Sequence, residues 1–184
     1  VSENVKEAFS AKFGLTERVH VAYNMLDEQA IRRRKDEPVD DIPKGEFLMV
    51  SVGSLIPRKG FERLIHICGL LKSRGYRFHL LILGKGELYE QLAEQVIDEH
   101  LLDSVQLLGF RDNPYPYMAA ADLYVCPSYV EGFSTVVSEA VVLETPVVTT
   151  DCSGMREILG DSEYGLITRN TEESLFEGLR TMLD

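Results

Sequence analysis

Long apolar runs are missing from these 184 residues. No stretch approaches the ~20 consecutive apolar residues that a bilayer-spanning helix needs. The opening VSENVKEAF lacks the basic-then-apolar order of a secretory leader, so neither a span nor an export signal is expected. Cysteine is scarce: Cys68, Cys126 and Cys152 are odd in number, far apart and set in apolar segments. That distribution excludes a disulfide framework and gives no metal-ligand spacing, and it suits reduced core thiols in a cytoplasmic protein. Positive charge is short as well, with 19 Lys and Arg against 30 Asp and Glu and a formal net charge of −11. Bulk binding of nucleic acid or anionic lipid is therefore excluded, although a local basic cluster can still hold a small anion. His20, His66, His79 and His100 fall in no zinc or triad spacing, so no metal is expected and no nucleophilic triad emerges.

What is present is an ordinary globular balance, 45% hydrophobic and 27% charged, in a length that suits one domain. From residue 47 onward, short Val, Leu and Ile runs alternate with longer amphipathic stretches, which predicts a parallel sheet with crossover helices. Strands are expected over 47–53, 78–83, 105–108, 122–126, 146–150 and 164–167, with helices over 60–74, 87–100, 114–120, 133–144, 154–160 and 171–183. The fold class is α/β: a doubly wound parallel sheet of about six strands with helices on both faces. Residues 1–45 precede this pattern with a helix candidate, VKEAFSAKFG, a strand candidate, VHVAY, and the charged run IRRRKDEPVDD, which reads as a solvated connector. The chain opens on Val1 rather than Met, which suggests a piece of a longer protein.

Ligands of such sheets bind at the carboxyl ends of the strands, so the loops there carry the candidates. The first, Gly53-Ser54-Leu55-Ile56-Pro57-Arg58-Lys59-Gly60, enters a helix with two adjacent cations. Arg58 and Lys59 would suit a diphosphate as charge develops on departure, and would equally suit a solvated helix start. The second runs from Glu131 through Gly132, Phe133 and Ser134 to Glu139. If all eight steps were helical, the two carboxylates would be separated by about 12 Å of rise. That is too far for an acid and base acting across one glycosidic bond, and better suited to gripping two parts of an extended ligand. The third, Gly109-Phe110-Arg111, could hold a planar base. The Gly84-Lys85-Gly86 turn lacks the rest of a phosphate-loop motif and reads as a pocket-shaping turn.

Taken in order, VGSLIPRKGFERLI, LILGKGE, VQLLGFRD, AAADLYVCPSYVEGFSTVVSEAV and TPVVTTDCSGMREIL resemble the C-terminal, donor-binding domain of family 4 retaining glycosyltransferases of the GT-B fold. The likeness covers nearly the whole chain. It divides it into a crossover segment and connector at 1–45 and a Rossmann-like nucleotide-sugar domain at 46–184, with the N-terminal acceptor domain absent. It implies that Lys59 binds the diphosphate, Glu131 contacts the donor sugar and Glu139 holds the ribose hydroxyls. Backbone from Gly132 to Ser134 would add phosphate and sugar contacts, and Gly109 to Arg111 would flank the base. Many members carry Arg directly after the loop glycine Gly53, where this chain has Ser54, and Arg58 is the candidate substitute.

The implied reaction moves a hexosyl unit from a nucleoside-diphosphate sugar, a UDP-sugar in the first place, to a glycan or lipid-linked acceptor of polysaccharide biosynthesis, with retention. The resemblance implies no metal and no other cofactor, the loop cations standing in for Mg²⁺. It places the whole enzyme in the cytoplasm, peripherally at the inner face of a membrane, and leaves this chain alone unable to catalyse transfer. Two other readings fit the same scaffold: a nucleotide-sugar epimerase and a non-catalytic nucleotide-sugar-binding module.

Overall fold

A computed structural model describes residues 2–15 and 19–184; Val1 and Thr16, Glu17 and Arg18 lie outside them. Two helices come first, α1 (Glu3–Phe13) and α2 (Glu28–Arg34). A regular alternation follows: β1 (Phe47–Val52), α3 (Phe61–Ser73), β2 (Phe78–Leu83), α4 (Tyr89–Asp98), β3 (Val105–Gly109), α5 (Tyr115–Ala120) and β4 (Leu123–Cys126). The chain ends with α6 (Thr135–Val142), β5 (Val147–Thr150), α7 (Met155–Leu159), β6 (Leu166–Thr168) and α8 (Glu172–Leu183). The six strands form one parallel sheet in the order β3-β2-β1-β4-β5-β6.

The expected fold class and each of the six expected strands are present, because strands buried on both faces read as continuous apolar runs. Alternate residues enter opposite cores, as the pleat requires. Met49, Leu80, Ile82, Leu123, Val125 and Val148 pack with α3, α4 and α8. Leu48, Val50, Leu81, Leu83, Tyr124 and Val147 pack on the other face with α2, α5, α6 and α7. All three cysteines are buried and unbridged. Among the described residues no helix is long and apolar enough to cross a membrane.

Three expectations change. VHVAY forms no strand; a strand needs a ladder, and this segment meets α7 instead, where the Tyr23 hydroxyl donates to Glu157 Oε2 at 2.8 Å. The run IRRRKDEPVDD is not a solvated connector throughout. Its first part continues α2, capped by Asp27 and anchored by Ile31 at 3% exposure. Finally, α6 begins at Thr135, so only the second half of the interval from Glu131 to Glu139 is helical. The 12 Å rise drawn from an unbroken helix does not apply, and Glu139 sits about one turn inside the helix.

Candidate functional site

The strand order reverses between β1 and β4, and in open α/β sheets the crevice at such a reversal, above the carboxyl ends, receives ligands. A cavity of about 320 Å³ lies there, lined by Val52 at the end of β1, Gly53 and Ser54 after it, Gly84 and Lys85 after β2, Phe110 to Asp112 after β3, and Glu139 of α6. Its floor is tight backbone: a Cβ on Gly84 would fall 1.8 Å from the Gly53 carbonyl oxygen, so only glycine lets these two loops meet. A larger cleft of about 690 Å³ opens at the opposite, amino ends of β1 to β3, among Lys44, Glu46, Arg77 and Asp103. Strand polarity, not volume, favours the carboxyl-end cavity, because the outward-pointing loops and helix starts converge there.

Each wall is fixed differently. Phe110 is 59% exposed, and Lys85 Nζ lies 4.6 Å from its ring centroid, a cation–π contact. Arg111 is committed: it pairs with Asp41 at 2.8 Å, and its Nε donates to the Tyr117 hydroxyl at 3.2 Å. The same Tyr117 hydroxyl donates to the second Asp41 oxygen at 2.7 Å. These bonds hold the Asp41 carboxyl below the usual carboxylate range, the Tyr117 bond first, and push the Arg111 guanidinium up. Glu139 accepts from Tyr115 Oη at 3.2 Å. Burial pushes its carboxyl up, opposed by that hydrogen bond, and burial with the nearby carboxylate raises the Tyr115 phenol.

On the far side of Val52 and Gly53 lies the ionic part. Lys59 ends the 3₁₀ turn Pro57–Lys59, and its stem runs along Gly53, whose added Cβ would sit 3.8 Å from Lys59 Cδ and Cε. Lys59 Nζ donates to Glu131 Oε1 at 2.6 Å, and the Ser128 hydroxyl donates to the same oxygen at 2.6 Å. Arg58 is 3.6 Å from the other oxygen, with its side chain 52% exposed. A narrow cleft lined by Val52, Lys59, Ser128 and Ser134 lies next to the cavity, Val52 lining both. Ser134 is buried and caps α6, its Oγ accepting from the Val137 amide at 3.4 Å.

The structure thus brings Gly53, Ser54, Phe110, Arg111 and Glu139 to one cavity and sets Lys59, Arg58, Glu131 and Ser134 beside it. Gly109 ends β3 in a left-handed conformation, φ 70°, and its carbonyl takes the Gly84 amide. An added Cβ on Gly132 would approach Val5 of α1, and the Phe133 ring lies 5.3 Å from that of Tyr23, so the side-chain directions at these two positions lead toward the N-terminal segment. Four participants went unread in the sequence: Ser128, Tyr115, Asp41 and Lys85. Ser128 lies inside the run AAADLYVCPSYVEGFSTVVSEAV with no chemistry of its own to mark it, Tyr115 lies in no motif, Asp41 is hidden in a charged run, and Lys85 reads only as part of a turn. A partly buried ammonium on a buried carboxylate, next to a cavity, offers a cation that an incoming oxyanion can recruit, and a carboxylate that is freed when this happens.

Comparison with known proteins identifies a family. Residues 32–184 match the family model described as glycosyl transferases group 1. The N-acetylgalactosamine-N,N'-diacetylbacillosaminyl-diphospho-undecaprenol 4-alpha-N-acetylgalactosaminyltransferase of Campylobacter jejuni subsp. jejuni serotype O:2 is 37% identical over 166 residues, which are 89% of this chain and 44% of that protein. Anabaena HepE, solved in complex with UDP, superposes with a TM-score of 0.80 at 25% identity, over 98% of this chain and 52% of that one. A glycosyltransferase from Rickettsia africae ESF-5 shares the fold, with a TM-score of 0.86 at 16% identity over 99% of this chain and 52% of that one. The chain therefore spans about half the length of the proteins it matches, or less.

Proposed function

This chain belongs to the group 1 glycosyl transferases, of the GT-B fold, and from that premise we propose that it forms the nucleotide-sugar-binding half of a retaining hexosyltransferase using a UDP-sugar. The observation that carries the reading is the placement of Lys59 against Gly53, at the edge of the cavity into which Glu139 projects. A nucleoside diphosphate laid across Gly53 has its base beside Phe110 and the backbone of Arg111, its ribose hydroxyls on Glu139, and its phosphates on Lys59.

The chemistry follows from the ion pair. As phosphate oxygens arrive, Lys59 exchanges Glu131 for a more highly charged partner and stabilises negative charge on the departing diphosphate. Glu131, still held by Ser128, is released toward the sugar hydroxyls. Arg58, exposed at the rim, adds a second cation in place of the Arg that Ser54 replaces. With the leaving phosphate itself assisting through an oxocarbenium-like state, no protein nucleophile and no metal is required. The acceptor, a glycan or lipid-linked intermediate, is bound by the part of the enzyme beyond this chain. Support for a lipid-linked acceptor is the name of the Campylobacter relative, which specifies a diphospho-undecaprenol substrate.

Calorimetry of the chain against UDP, GDP, ADP and their sugars tests the assignment, with Lys59→Ala and Glu139→Ala as controls. The expected outcome is strongest binding of UDP and its sugars, lost in both variants. Equal heats for wild type and both variants refute it.

A further inference from the structure

Arg63, on the first turn of α3, is 3% exposed and takes part in no ion pair among the described residues. Its hydrogen-bond partners are all neutral. Nε donates to the Pro127 carbonyl at 2.7 Å, NH2 to the Ser128 carbonyl at 2.7 Å and to Thr150 Oγ1 at 3.4 Å, and NH1 to Asn170 Oδ1 at 2.9 Å. The Tyr129 ring stacks on the guanidinium at 3.9 Å. Keeping a bare cation in a protein interior is costly, and neutral acceptors offset only part of that cost. Burial accordingly depresses its basicity, and an aliphatic residue would fill an α3 core position without the penalty.

The position of the partners indicates what the arrangement does. Pro127 and Ser128 are the two residues that leave β4 for the loop carrying Glu131. The Ser128 carbonyl also accepts from Thr150 Oγ1 and Cys152 Sγ, while its hydroxyl holds Glu131 Oε1, the oxygen bonded to Lys59. Gly60, next to Lys59, packs on the same turn: a Cβ there would fall 2.2 Å from the Pro127 oxygen and 2.9 Å from Arg63 Nε. One guanidinium therefore ties together the two loops that carry the ionic pair, and Arg's planar fork is suited to spanning two carbonyls at once.

We propose that Arg63 is a positioning residue for the donor diphosphate: it fixes the Pro127–Ser128 turn so that Ser128 presents Glu131 to Lys59, and it places a positive charge without an ion-pair partner behind that pair. The inference rests on the nucleotide reading above. The diphosphate then adds negative charge in front of Arg63, so the benefit of Arg63 appears in binding of phosphates and not of the nucleoside.

The test titrates UDP and uridine, followed by NMR, into wild type, Arg63→Lys, Arg63→Gln and Ser128→Ala chains, with thermal melting as the check on folding. Arg63→Gln should lower UDP affinity more than about tenfold, the equivalent of one charge-assisted contact, with uridine affinity unchanged. Arg63→Lys, which keeps the charge and loses the fork, should recover part of the loss. Ser128→Ala leaves Arg63 in place, tests the relay where the arginine variants fail to fold, and should show the same selective loss. Parallel loss of UDP and uridine, or no loss of either, overturns the role of Arg63 while leaving nucleotide binding intact. A wild-type chain that binds neither ligand overturns the nucleotide reading itself.

Discussion

At the scale of single residues, the site holds two carboxylates in opposite conditions. Glu131 is 6% exposed but bonded to Lys59 and Ser128, whereas Glu139 has a single phenol for a partner and its carboxyl is pushed up by burial. A folded-state value above the unfolded one means that this group's contribution is fully present below about pH 4.5 and is lost as pH rises through the raised value. Glu139→Gln should therefore raise the melting temperature near pH 7 by a few degrees at most, with the gain shrinking toward pH 4, and should weaken UDP binding at the same time. Melting curves across that range check the sign: a gain that grows on acidification contradicts it. The pair behaves differently. Lys59→Met strands a buried carboxylate and should cost roughly 3 kcal/mol in denaturant unfolding, and adding Glu131→Gln should restore much of it. Additive losses in the double variant would mean that the two side chains are not coupled.

At the scale of elements, the strands were legible as short continuous apolar runs because both of their faces are buried, and the later helices as the amphipathic stretches between them. Met49 and Val50 enter opposite cores as the alternation requires. The first 45 residues were harder. In 31–41 charge outweighs pattern, and the run reads as solvated although Ile31 anchors a helix and Asp41 holds a wall of the site. Partners 70 or more positions apart, such as Asp41 and Arg111 or Lys59 and Glu131, have no local signal; only the resemblance pointed to Lys59 and Glu131 as one site. The α2 segment and its connector have a measurable function on this account. Arg34 pairs with Asp112 at 3.0 Å, and Asn113 Nδ2 donates to the Arg34 carbonyl and to Glu37, so the loop after β3 is braced from outside. Asp41→Asn should weaken uridine and UDP binding by similar factors, of about three- to tenfold, because it loosens the base wall and not the phosphate side. A selective loss of UDP would contradict that division.

At the scale of the whole molecule, a doubly wound sheet with two apolar faces leaves its charged clefts to the rims, and the candidate site uses the carboxyl-end rim. The backbone approach at Gly84, the cations at Lys59 and Arg63, and the carboxylates at Glu131 and Glu139 all gather near the carboxyl ends of β1 and β4. Since the chain covers 44% of the Campylobacter relative, transfer is expected to need the rest of such a protein. Mixed with a UDP-sugar and acceptor, this chain alone should bind without turnover, and measurable transfer by it would show that the acceptor site lies within these residues. A crystal structure of the chain with UDP decides where the nucleotide lies. The account predicts the diphosphate in hydrogen-bond contact with Lys59 Nζ and the ribose hydroxyls on Glu139. UDP seated instead in the amino-end cleft beside Lys44 and Arg77, or with its phosphates turned away from Lys59, would contradict it.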